Sequence, residues 1–154
     1  MTPAMKTRPP MPPRAGALGI LCVEPDARDR EAFRDLYHRV AWPGDCRRRL
    51  TMRPCVQSAI PVLRSHEVGV VLCESQTATG SWRELLELTE LLVEPPLLIV
   101  TSRIADECLW AEALNLGAWV VLAKPYDPGE VERVVALACS HWLDRPQRSQ
   151  TATE

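Results

Sequence analysis

The sequence predicts an α/β chain, a parallel sheet covered by helices on both faces. Three observations predict it. Short unbroken apolar runs at 18–23, 68–73 and 97–100 have the character of strands buried on both faces. Segments of helical periodicity, with capping signals at their ends, lie between these runs. The two kinds of segment alternate about five times, which is the pattern of parallel strands joined by helical crossovers.

In 154 residues there is room for one domain and its tails, and a hydrophobic content of 46% supplies a core. A net charge of −2 argues against a nucleic-acid module driven by electrostatics. The six cysteines, Cys22, Cys46, Cys55, Cys73, Cys108 and Cys139, form no C-x-x-C pair. The N-terminus carries no apolar signal region, and no apolar run reaches membrane-spanning length. A cytoplasmic protein with reduced, buried cysteines is expected. Residues 1–16 hold Pro3, Pro9, Pro10, Pro12 and Pro13 and read as a disordered head; 17–143 read as the folded domain and 144–154 as a polar tail.

Leu18-Gly19-Ile20-Leu21-Cys22-Val23 is the first strand, and it ends in Glu24-Pro25-Asp26. Asp26 can cap a helix with apolar positions Ala32, Phe33, Leu36 and Tyr37, the charges on its other face reading as ordinary solvation. Trp42-Pro43-Gly44-Asp45 breaks the chain, and Arg47 to Met52 is a weak, basic strand expected near an edge. Cys55 to Arg64 reads as a short helix with Pro61 inside it. The run ending at Cys73 leads to Glu74 and a polar loop, after which Ser81 and Glu84 have capping-box spacing. Pro95-Pro96 stops that helix; the next strand ends in Thr101-Ser102, and a helix from about Ala105 to Leu116 is terminated by Gly117. Val120 and Val121 then lead to Lys124-Pro125-Tyr126, and Asp127-Pro128-Gly129-Glu130 opens the last helix.

The strand ends carry the chemistry. Glu24, Glu74, Thr101 and Lys124 fall at the carboxyl edge of the sheet, where sites in such folds form. Of the 18 cationic residues only Lys6 and Lys124 are lysine, so the lysine at the fifth strand end is an exception in an arginine-rich chain. His38, His66 and His141 are scattered and offer no metal-ligand spacing.

From about Gly19 to Leu143 the chain resembles a response-regulator receiver domain (CheY-like). The resemblance rests on Gly117-Ala118 followed by Leu122-Ala123-Lys124-Pro125, with Glu24, Glu74 and Thr101 in order before them. It implies a flavodoxin-like (CheY-like) three-layer sandwich with strand order 2-1-3-4-5, an order taken from the family. It makes Glu74 the equivalent of the phospho-accepting aspartate, Glu24 and Asp26 acids of the pocket, and Thr101, Lys124 and Pro125 the family's hydroxyl, lysine and proline. It also implies a cis bond before Pro125.

The departures shape the functional expectation. Glutamate stands where the family has its accepting aspartate, and Pro25 occupies the second acid position. Thr77-Ala78-Thr79-Gly80 replaces the family's M-P-x-x-G loop, and Val121 replaces its switch aromatic. A Mg²⁺ site short of one acid is weak or absent, with Glu24 and Glu74 its only remaining ligands. A nucleophile one methylene too long is misplaced for phosphoryl transfer. A Glu74–Lys124 ion pair is expected instead. The sequence therefore points to a stand-alone, non-enzymatic receiver in two-component (phosphorelay) signalling, with no cofactor, independent of phosphorylation and acting by protein contact. One alternative is a phospho-accepting receiver with an unusual Mg²⁺ site. A more distant one is a flavodoxin-like nucleotide-binding or redox protein, which would lack a Gly-rich phosphate loop after Val23. Redox sensing by Cys22 or Cys73 is disfavoured by the neighbouring carboxylates. The expected partner is a sensor kinase, another regulator or an output protein, with a homodimer as another use of the same face and no nucleic acid or membrane. That face is formed by the fourth helix, fifth strand and fifth helix, and centres on Trp110, Leu114, Trp119 and Val121.

Overall fold

A computed structural model of the chain describes residues 17–39, 47–65, 67–77 and 80–144. The Pro-rich head, the Trp42–Asp45 break, Ala78-Thr79 and the tail beyond Asp144 lie outside the described residues.

Among the described residues five strands and five helices alternate strictly: β1 (Ala17–Val23), α1 (Ala27–Arg39), β2 (Arg47–Arg53), α2 (Val56–Ser65), β3 (Val68–Glu74), α3 (Trp82–Glu90), β4 (Leu97–Ser102), α4 (Glu107–Leu116), β5 (Val120–Ala123) and α5 (Pro128–Leu143). All strands are parallel, in the order β2-β1-β3-β4-β5. The basic run 47–53 is the edge strand beside β1, as its composition suggested.

The pleat divides the buried side chains between two core clusters. On one face Leu21, Val23, Val71, Cys73, Val100 and Val121 pack with side chains of α2, α3 and Ala113 of α4. On the other, Leu18, Ile20, Leu72, Ile99 and Leu122 pack with α1 and α5. Each central strand buries both of its side-chain rows, which is why these strands read as unbroken apolar runs. Gly69 of β3 makes one such contact possible: a Cβ there would lie 2.6 Å from the Trp142 ring, so glycine lets α5 seat its buried tryptophan against the sheet.

The helix ends follow the capping chemistry. Ser81 and Glu84 form the reciprocal box at α3, and Asp127 accepts from the Glu130 N–H at α5. α4 starts two residues later than the sequence suggested, because Asp106 caps it by accepting from the Leu109 N–H at 2.9 Å. Gly117 ends α4 at φ 113°, a left-handed conformation that suits glycine. Pro61 stays inside α2, whose Val56, Ala59, Val62 and Leu63 are buried; that packing outweighs the cost of a mid-helix proline. No helix among the described residues is long and apolar enough to cross a membrane.

Candidate functional site

The ends of β1, β3 and β5 converge on one ammonium. Register places Glu74 beside Thr101 and Thr101 beside Leu122, and backbone bonds extend the ladder past the strand ends: Ser75 N–H to Thr101 O at 2.8 Å, and Lys124 N–H to Ser102 O at 2.9 Å. Lys124 is thereby held at the carboxyl edge, next to the cis bond to Pro125.

Its Nζ donates to Glu24 Oε1 at 2.6 Å and Asp29 Oδ2 at 3.2 Å, and forms an ion pair with Glu74 Oε1. Three ammonium protons thus meet three carboxylates. The other oxygen of each carboxylate also has a donor. Glu24 Oε2 accepts from the Asp26 N–H at 3.1 Å, and Asp29 Oδ1 from Arg103 Nη2 at 2.6 Å. Glu74 Oε2 accepts from the Gln76 N–H at 3.1 Å and lies 3.0 Å from Ser75 Oγ. Ser75 Oγ is 2.9 Å from Ser102 Oγ, which accepts from the Ile104 N–H. All six carboxylate oxygens are engaged, and Glu24, Asp29, Glu74 and Lys124 are buried.

Burial alone would depress the Lys124 pKa, but the hydrogen bonds and charges of Glu24 and Glu74 outweigh it and raise it. Burial pushes Glu24 above the usual carboxylate value, with the Lys124 hydrogen bond pulling against it. Cys22 and Cys73 flank the cluster and are buried. Burial, followed by the nearby glutamates, drives both thiols up, Cys73 to about 12, away from thiolate chemistry. Tyr126 seats its ring edge-on against Phe33 at 5.7 Å, and burial raises its phenol.

The predicted Glu74–Lys124 pair is present, and Thr101 is buried beside it. Asp26 is a correction. It is exposed and caps α1, accepting from the N–H groups of Arg28 and Asp29, which lower its pKa. The acid in the pocket is Asp29, one turn later. An acid at the head of the stripe Asp29, Phe33, Leu36, spaced i, i+4, i+7, is a detectable signal, hidden because the charges of α1 read as solvation. Arg103, on the loop after β4, has no comparable signature.

Val121 is also a correction. It is 1% exposed and packs in the core beneath α4, so it forms no part of a partner face. Trp119 is half-buried on the α5 side, its ring 6.3 Å from that of His141. Trp110 and Leu114 are 36% and 49% exposed. Glu112 pairs with Arg83 of α3, so that flank of α4 faces α3. Trp110 lies about 160° around the helix from Glu112, on the flank towards β5. Leu137 of α5, 55% exposed and one turn before His141, adds an apolar position the sequence did not single out.

No protein-family model and no curated protein matches the chain. Many solved structures do. The signal receiver domain of an HD domain-containing protein from Pseudomonas fluorescens is 21% identical, with TM-score 0.73, over 84% of this chain and 99% of that one. The signal receiver domain of a Luxo repressor protein from Vibrio parahaemolyticus is 15% identical, with TM-score 0.72, over 82% and 92%. The Mn²⁺-bound form of response regulator Rcp1 is 16% identical, with TM-score 0.63, over 84% and 96%. With strand order, helix placement and whole-domain coverage all in agreement, the chain has the fold of a response-regulator receiver domain.

Proposed function

We propose that this chain is a signalling module of a two-component pathway that works without phosphorylation, by contact with a protein partner and not as an enzyme. The observation that carries this reading is the engagement of all six carboxylate oxygens around Lys124. A phospho-accepting carboxylate needs one oxygen to attack and a divalent ion to gather charge. Here Glu74 gives one oxygen to Lys124 and the other to Ser75 and Gln76. The donor set does not fit Mg²⁺. Pro25 offers no side-chain ligand, Asp26 faces the helix cap, and an ion at Glu24 and Glu74 would have to displace the ammonium. Glu74 and Lys124 together give a permanent charge arrangement that needs no phosphate. Val121, buried where the family has its moving aromatic, removes the part that would report phosphorylation.

The surface that supports partner contact flanks β5, where Trp110 and Leu114 of α4 and Leu137 of α5 stand exposed around the half-buried Trp119. The test is incubation with a small phosphodonor and Mg²⁺, read by intact mass. No phosphoryl gain is expected. Stoichiometric gain of one phosphoryl group, abolished by Glu74→Gln, overturns the reading in favour of a phospho-accepting receiver.

A further inference from the structure

The opposite edge of the sheet carries a second surface with different chemistry. Among the described residues strand β2 has one neighbour, β1, and a groove of about 510 Å³ runs between it and α1. Arg34, His38, Arg48, Arg49 and Arg53 line it, and no aspartate or glutamate among the described residues does. Three guanidinium groups elsewhere have partners: Arg83 with Glu112, Arg103 with Asp29, and Arg30 with the carbonyls of Glu24 and Pro25. Among the described residues none of Arg34, Arg49 and Arg53 is ion-paired. A chain of net charge −2 thus gathers several guanidinium groups along one strand edge, Arg34 and Arg49 among them exposed.

We propose that this groove binds an acidic, extended segment of a partner protein, which adds to the edge of β2 as a further strand. A strand edge offers backbone donors and acceptors in a row, and side-chain pockets at alternate positions supply selectivity. Two successive alternate positions after Arg48 are apolar: Leu50 and Met52 pack against the α1-side core and also line the groove, beside Tyr37. Arg49 and Thr51 fall in the opposite pleat row. An incoming strand therefore meets Leu50 and Met52 in one pleat row and Arg49 and Arg53 in the other, with Arg34 and Arg48 adding positive charge to the groove. A second copy of this chain does not fit, because two arginine-lined edges repel. Nucleic acid uses the charge but neither the backbone edge nor the apolar row, and the overall negative charge opposes it.

The test uses the full chain and a short synthetic peptide, matched to β2 in length, that alternates glutamate with valine or threonine. Three comparison probes are run beside it: its lysine counterpart, its form N-methylated at alternate amides, and a single-stranded oligonucleotide of equal charge. Saturable binding of the acidic peptide at low salt is expected, with amide shift changes along β2. Arg34→Glu with Arg49→Glu should weaken it about tenfold or more, since each reversal turns an attraction into a repulsion. N-methylation should abolish the β2 shift changes. Both arginines are exposed at one edge, and the pair Arg34→Gln with Arg49→Gln, checked for an unchanged melting temperature, separates lost charge from lost fold. No binding of the acidic peptide, equal binding of its N-methylated form, or tighter binding of the oligonucleotide overturns the proposal.

Discussion

The pocket around Lys124 and the groove beside β2 are built from the same kinds of charged residue, and they are opposites. In the pocket three carboxylates meet Lys124 and Arg103, the groups are buried apart from the Arg103 stem, and every carboxylate oxygen has a donor. In the groove several arginines stand together at a sheet edge, with no carboxylate among the described residues that line it. The first arrangement spends its interactions on the fold itself. The second leaves them for something outside. On the proposed reading, charge at the carboxyl edge serves the fold, and recognition is assigned to the flanks.

The largest expected effect that would break this contrast is at Lys124. Lys124→Met leaves three buried carboxylates facing one cation and should cost about 3–5 kcal/mol in urea unfolding, as removal of one partner from a buried ion pair does. Arg49→Ala should change stability by less than about 0.5 kcal/mol, as surface substitutions do. Comparable losses at the two positions would erase the distinction.

Asp29 is the next test. Asp29→Asn keeps its shape but removes its charge from Lys124 and Arg103, and should cost about 1–3 kcal/mol. Its effect should shrink in an Arg103→Ala background, because the two residues share one contact. Strict additivity in that double-mutant cycle would mean that Asp29 and Arg103 do not act together.

The pH dependence has a definite sign. The folded pKa of Lys124 is raised above its ordinary value of 10.5. The stability it contributes is therefore whole below that value and is lost as pH rises through the raised one. The difference in unfolding free energy between wild type and Lys124→Met should be flat from neutral pH upward and narrow only at strongly alkaline pH. Narrowing near neutrality would contradict the raised pKa. Thiol labelling sharpens the same contrast between interior and surface: Cys108 is exposed and should react with a maleimide, while Cys22 and Cys73 should react only after unfolding in urea. The smallest stability effect is expected at Trp110→Ala, whose melting temperature should barely move while partner binding or self-association falls. A loss of about 3–5 kcal/mol would instead identify a core tryptophan.

Much of this was legible in the residues. The runs at 18–23 and 68–73 are buried on both faces, so they read as unbroken apolar runs, the mark of strands in a covered parallel sheet. The residues that stop them, Glu24 and Glu74, are the ones that reach Lys124. Caps at Ser81, Asp127 and Gly117 could be read because each solves a local problem of unsatisfied backbone groups. Asp29 was missed although its place at the head of an apolar stripe could be read, because the partners that give it a role, Lys124 and Arg103, lie far off in sequence. Val121 was misassigned for a related reason. Its neighbours suggested a rim, but the pleat turns it under α4, and only the packed helix decides which row of so short a strand is covered.

The central claim is that the carboxylates of the pocket are already committed and hold no divalent ion. A Mn²⁺ titration followed by paramagnetic broadening of backbone amides tests it most directly, since broadening falls on groups close to a bound ion. With the pocket closed by Lys124, the amides of Glu24, Asp26, Ser75 and Gln76 should broaden no more than those of Leu18 and Val68, at the opposite ends of β1 and β3. Selective, saturable broadening of those four amides, reversed by excess Mg²⁺, would contradict it.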